Sequence, residues 1–303
     1  VVFAVLLIAC FAYGFNALQA YNAGSALQYY LPGYSESIWP AVVGAVLALL
    51  TGLCIFGGVR RISAITSGIV PVMAAIYIAL GLFITVKNIG QVPYMLSMIV
   101  SQAFDPKAMF AGIGASCIMQ GIKRGLYSNE AGMGSTPHAH AMAKVEKPQD
   151  QGVVAMVCVF IDTFVVLTIT ALVMITSGAL NVGDMAANPA AENMAQVAFS
   201  TVFGSFGNFY VAICLLFFAF STIIGWYFFG EQNVKYLFGV KAVKVYACIA
   251  VVCVALGAVL EAPLVWNLSD LFNALMVFPN LLALLALSGL VAKAARGGDA
   301  LRK

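Results

Sequence analysis

Gly121-Ile-Lys-Arg-Gly-Leu-Tyr-Ser-Asn-Glu-Ala-Gly-Met-Gly-Ser135 stands out from apolar surroundings. Fifteen positions hold two adjacent cations, one acid, four glycines, an asparagine and two serines. The Gly-rich run Phe110-Ala-Gly-Ile-Gly-Ala-Ser-Cys-Ile-Met-Gln120 precedes it, and Thr136-Pro-His-Ala-His140 follows. A plain connecting loop would accept almost any polar residues. The selection here makes Lys123, Arg124, Asn129 and Glu130 candidate functional positions. The alternative is a polar loop between two hydrophobic spans.

Working outward, the chain of 303 residues is 62% hydrophobic and 9% charged. A soluble domain carries roughly 25% charged residues, so this chain has too little polar surface to face water. The class is an all-α polytopic membrane protein. The net charge of +3 gives no support to nucleic-acid binding. Seven cysteines all lie in apolar runs without a C-x-x-C pair, as buried packing residues do. The chain opens Val1-Val2-Phe3 inside a hydrophobic run, with no methionine and no cleavable signal pattern, so we expect an incomplete N-terminus.

Hydrophobic runs predict eight crossings: about 1–27, 38–57, 63–85, 107–126, 153–177, 208–230, 243–260 and 264–293. Asn16, Gln19 and Asn22 on the first recur every three residues and share a face, for interhelical hydrogen bonds or for a ligand. Trp39-Pro40 suits a helix start at a membrane edge. Residues 88–104 read as an interfacial segment and 181–207 as a polar loop. The fourth crossing is short and interrupted by Gly112 and Gly114, the pattern of a broken transporter helix; close helix packing is the alternative. Asp162 sits inside the fifth crossing, where an acid is either functional or bonded to a neighbouring helix. Eight crossings divide Lys and Arg 13 to 2 between the sides, Lys123 and Arg124 falling in a loop on the richer one. That side is cytoplasmic, and both ends of the chain lie there.

His138-x-His140 is the one histidine pair. On a helix those side chains point about 200° apart, poor for chelation, and no H-E-x-x-H motif is present. An intramembrane enzyme using His138 and His140, or a receptor without transport, stay as rivals. Ser221 and Thr222 are adjacent hydroxyls near the middle of an uncharged span. They suit a sodium ion, which takes hard oxygens, better than bonds back to their own helix.

The stretch from Gly121 to Ser135 resembles the signature of the alanine or glycine:cation symporter family. Gly57-Gly-Val-Arg-Arg-Ile62, Val70-Pro-Val-Met73, Val159-Phe-Ile-Asp-Thr163, Phe218-Ala-Phe-Ser-Thr-Ile-Ile-Gly-Trp226 and Phe278-Pro-Asn280 follow the same pattern. The resemblance implies a leucine-transporter-like fold of two inverted five-helix repeats. The chain is then one partial transmembrane domain over residues 1–303, holding core helices three to ten. The first, broken core helix and the second are missing. It implies sodium-coupled symport of alanine or glycine, with sodium as coupling ion and no cofactor. It also implies Ser221 and Thr222 as sodium ligands, with Trp226 and Gln19 beside the substrate. The same-class rival couples a proton, carried by Asp162. The expected partners are a small neutral amino acid, sodium and the bilayer of the cell membrane; no protein partner is predicted.

Overall fold

The computed structural model describes residues 1–104, 113–180 and 193–296. Those residues form helices and turns, with no strand among them. α1 is the run Val2–Gln28, α2 is Trp39–Ile55, α3 is Val59–Lys87 and α4 is Val92–Ala103. α5 is Ile113–Ser128, α6 is Thr136–His140 and α7 is the run Pro148–Thr176. α8 is Met194–Phe203, α9 is Ser205–Phe238, α10 is Val243–Gly257 and α11 is Ala262–Ala295.

Six helical runs among the described residues are long and apolar enough to cross a membrane: α1, most of α3, α7, α9, Val240–Gly257 and α11. α2 and α5, with 17 and 16 residues, are shorter. At 1.5 Å per residue α2 is about 25 Å long, against roughly 30 Å of hydrocarbon. Six of the eight crossings expected from sequence coincide with these runs, α2 is shorter, and the fourth, 107–126, lies partly outside the described residues.

α9 is the central helix. Ile224 and Tyr227 pack with Cys54 of α2 and Ala250 of α10, while Ile223 packs with Ala20 and Ala23 of α1. Between helices in lipid such contacts act through van der Waals packing, which small residues permit by letting backbones close in. At Gly257 of α10 a Cβ would overlap the backbone of Ala17 on α1. The outer surface is apolar: α11 exposes Leu281, Leu282, Leu284, Leu285, Leu287 and Val291, as a lipid-facing helix does.

The expected loop over 181–207 contains a helix instead. Residues 181–192 lie outside the described residues, but α8 is regular and ends at Gly204, whose φ is 61°. Ala198 and Phe199 bury one face of α8 against Ile84 of α3 and Val211 of α9. Ten residues are too few to cross a membrane, so a reading built on span length passed over them.

Two helices carry π-turns, Cys10–Gly14 in α1 and Ile161–Val166 in α7. Such turns recur at functional sites. Both lie beside the site described next: Phe11 of the first packs with Trp226 and Met133, and Asp162 of the second bonds Ser128.

Candidate functional site

The chain leaves helical geometry between α5 and α6, and side chains hold every part of that break. Asn129 Nδ2 donates back to the Gly125 carbonyl at 2.8 Å, and its Oδ1 accepts from the Ala131 N–H at 3.0 Å. Glu130 follows at φ 59°, the one non-glycine with a left-handed backbone among the described residues. A residue in that conformation just past a helix end is a standard stop, and without glycine it costs roughly 1–3 kcal/mol. Bonds within the segment offset that strain. The Glu130 carbonyl accepts from the N–H groups of Gly134 (3.0 Å) and Ser135 (3.2 Å), and Thr136 Oγ1 donates to the Asn129 carbonyl at 3.0 Å.

A distant helix supplies the rest. Asn280 of α11 donates through Nδ2 to the carbonyls of Ala131 (3.0 Å) and Gly132 (2.8 Å). Gly134, at φ 91°, leaves room for that amide: a Cβ there would stand 2.7 Å from Asn280 Cγ. Met133 is fully buried among Leu7, Phe11, Trp226 and Met276. The side chain of Glu130 accepts from Ser135 Oγ at 2.6 Å and from the indole Nε1 of Trp226.

One cavity adjoins this break, and a second shares Asp162 of α7 with it. One of 350 Å³ lies between the break, α7 and α9, lined in part by Ser128, Asn129, Glu130, Asp162, Thr222 and Trp226. One of 670 Å³ lies between α1, α3, α7 and α9, with Gln19, Asn22, Tyr77, Asp162 and Thr170 on its walls. Asp162 lines both and accepts from Ser128 Oγ at 2.6 Å. No lysine or arginine is among the residues lining the smaller cavity, whereas the Asp162 carboxylate, hydroxyls and an amide are; both oxygens of Glu130 are taken by Ser135 and Trp226. Such a wall suits a cation or an ammonium group.

The whole chain can now be set against known proteins. The sodium:alanine symporter family matches residues 1–299. This chain belongs to the sodium:alanine symporter family. It is similar to the sodium/alanine symporter AgcS of Methanococcus maripaludis, at 40% identity over 264 residues, covering 87% of this chain and 58% of that protein. It is 35% identical over 290 residues to the probable sodium/glutamine symporter GlnT of Bacillus subtilis, covering 95% of this chain and 59% of the relative. It is 35% identical over 260 residues to the sodium/proton-dependent alanine carrier protein of Bacillus sp. strain PS3, covering 81% and 58%. The chain therefore spans less than two thirds of the length of these relatives. Membership of a symporter family and the apolar helices make it a multi-pass membrane protein.

In this symporter-family chain, several positions singled out from sequence come together at the break. Asn129, Glu130, Asp162, Thr222 and Trp226 share the smaller cavity. Gln19 lines the larger one and donates to Tyr127 Oη at 3.2 Å. Asn16, expected on the same face, is instead buried and donates to the Phe11 carbonyl in the π-turn. Ser221 is buried, lines neither cavity and donates to the Phe218 carbonyl at 3.0 Å. Gly114 is the second residue of α5, and Gly112 lies outside the described residues.

Lys123 and Arg124, expected in a loop, are helical instead. Both are on α5 and pair with Asp270 of α11, at 3.2 and 2.8 Å. A charge inside a helix bundle needs a counter-charge, and the acid of α11 supplies it. The histidines part company as well. His138 Nδ1 donates to the Ser135 carbonyl at 3.0 Å and its Nε2 accepts from Asn233 Nδ2 at 2.8 Å. His140 instead pairs with Gln151 at 2.6 Å.

Sequence reasoning assigned no role to Asn280, Ser128 or Thr136. A polar residue directly after a mid-span proline is the signal that pointed to Asn280.

Proposed function

We propose that the full-length protein is a secondary active transporter coupling sodium to uptake of a small neutral amino acid, alanine or glycine, by alternating access. The observation that carries this reading is the oxygen-lined cavity where a helix breaks against α9. An amino acid is a zwitterion, and its ammonium suits the oxygens of Asn129, Asp162 and Thr222. Trp226 and Gln19 stand beside the substrate in this reading. Thr222 gives a hydroxyl to sodium, whereas Ser221 bonds its own helix in the state described. In this reading the unwound backbone Asn129–Ser135 lies near the substrate, and Gly112 and Gly114 stand as further substrate-side positions. Sodium entry supplies the driving force: one charge crossing 100 mV releases about 2.3 kcal/mol.

The arrangement of crossings fits the same proposal. α2 and α5 count as crossings, giving eight, which correspond to core helices three to ten of a leucine-transporter-like inverted repeat. Residues 1–303 then form one transmembrane transporter domain, joined in the full-length protein by the first two core helices. Both ends of this chain face the cytoplasm. Proton coupling is the second reading, favoured by Asp162 lying on both cavities.

The test is radiolabelled alanine uptake by full-length protein in proteoliposomes. An inward sodium gradient should drive accumulation. Accumulation driven by a pH gradient without sodium selects the proton reading, and no accumulation under either gradient sinks the transport reading.

A further inference from the structure

Trp226 is 3% exposed, yet one edge of its indole forms part of the cavity wall. Three rings surround it. Phe11 stacks at 5.7 Å with an interplanar angle of 4°, Phe15 is tilted at 4.9 Å and Tyr127 meets it edge-on at 5.9 Å. Stacking fixes the plane of an indole but lets it slide and turn within that plane. One directional bond removes that freedom, from Nε1 to the carboxylate of Glu130. Glu130 is itself immobilised. Ser135 Oγ holds its second oxygen at 2.6 Å, and two backbone N–H groups hold its carbonyl. The depth to which the indole enters the cavity is therefore set by one side chain on the unwound segment.

We propose that Glu130 is a positioning residue that fixes the size limit on the transported amino acid, acting through Trp226. The proposal rests on the smaller cavity being the substrate site. With Glu130 in place the indole holds the cavity wall near Thr222 and narrows the room left for a longer side chain. Without it the indole slides on Phe11 and the space opens. One methylene in an apolar pocket is worth roughly 10- to 200-fold in selectivity, so a small movement of this ring is enough to change the substrate range.

The experiment measures uptake of alanine and of leucine by full-length protein in proteoliposomes, as the ratio of their kcat/KM values. Glu130→Ala should lower the alanine-to-leucine ratio at least ~10-fold, mainly through KM. Trp226→Phe, which keeps a ring and removes the N–H, should do the same. Trp226→Phe also shortens the ring, so adding Glu130→Ala to it should lower the ratio no further, because the bond it breaks is already gone. Glu130→Gln keeps an oxygen that accepts from the indole, so it should hold the ratio within ~3-fold of wild type. A Glu130→Gln variant that loses alanine and leucine uptake alike would mean the charge contacts substrate directly, and the proposal falls. Trp226→Phe with an unchanged ratio also overturns it. If Glu130→Ala does not fold, the Gln and Phe variants alone still decide. Absence of amino-acid uptake in the wild type is a separate outcome, which removes the transport reading and this inference together.

Discussion

Arg124 of α5 donates through Nη2 to Asp270 of α11 at 2.8 Å, although 146 positions separate them. The same guanidinium lies 4.4 Å above the ring of Trp266, and Lys123 reaches the other oxygen of Asp270 at 3.2 Å. Asn273, one turn further along α11, donates to the Lys123 carbonyl at 3.2 Å. Two cations share one carboxylate, so the cluster carries a net positive charge. It ties α5 to α11 just before the chain unwinds.

That imbalance gives an ordered prediction. Asp270→Asn leaves two cations without a counter-charge and should lower Tm most. Lys123→Gln leaves a balanced Arg124–Asp270 pair and should be close to neutral. Removing one partner of a buried pair costs about 3–5 kcal/mol. The cation side chains here are 37% exposed, so solvent screening reduces that to roughly 1–2 kcal/mol. Thermal unfolding of the purified variants checks the order, and equal losses from both would refute the charge argument.

The contact between Gly134 and Asn280 predicts a coupled pair. Gly134→Ala places a Cβ against the Asn280 amide at a positive φ, and should cost roughly 1–3 kcal/mol. Asn280→Ala strands the carbonyls of Ala131 and Gly132, at a similar cost of about 1–3 kcal/mol. In the double variant the two 2.7 Å contacts go with the amide, leaving only the Cβ of residue 280 at 3.0 Å. Its loss of stability should then be clearly less than the sum of the single losses, and strict additivity would show that the two residues do not meet.

Sodium dependence separates the adjacent hydroxyls. Thr222→Val should raise the sodium concentration for half-maximal uptake at least ~10-fold, about 1.4 kcal/mol, with little change in substrate affinity at saturating sodium. Ser221→Ala should change it much less, because that hydroxyl already bonds the Phe218 carbonyl. Thr168→Val, on the exposed side of α7, is the matched control. Unchanged sodium curves in all three variants would place the ion elsewhere.

Sidedness is checked at Lys144, an exposed cation in the connection between α6 and α7. A single cysteine there should react with a membrane-impermeant reagent only after cells are opened. Labelling in intact cells would invert the topology.

The helices were legible in sequence wherever burial in lipid alone decides the outcome. The Trp39-Pro40 start of α2 and the long apolar run of α11 are local signals. The break was legible as a polar, Gly-rich stretch, yet not as to where the helix stops. The stop depends on Asn129 bonding the Gly125 carbonyl and on Asn280 from the far end of the chain. Lys123 and Arg124 read as loop cations because their acid lies so far along the sequence. α8 was missed since this apolar helix of ten residues is too short for a membrane span. Ser221 and Thr222 were rightly seen as adjacent hydroxyls, but which way each points is settled by the neighbouring helices.

The bond from Asn280 to the broken segment also has a meaning in time. Asn280 emerges from the ribosome 149 residues after Ala131. At roughly 5–20 residues per second that gap lasts on the order of 10 s. Throughout it, two carbonyls that a bilayer cannot solvate wait for a partner not yet made. The nascent segment must shelter them meanwhile, with water at the membrane surface or with a helper such as the insertion machinery. The final helix of this chain thus acts as a late-arriving template that completes a site laid down long before it.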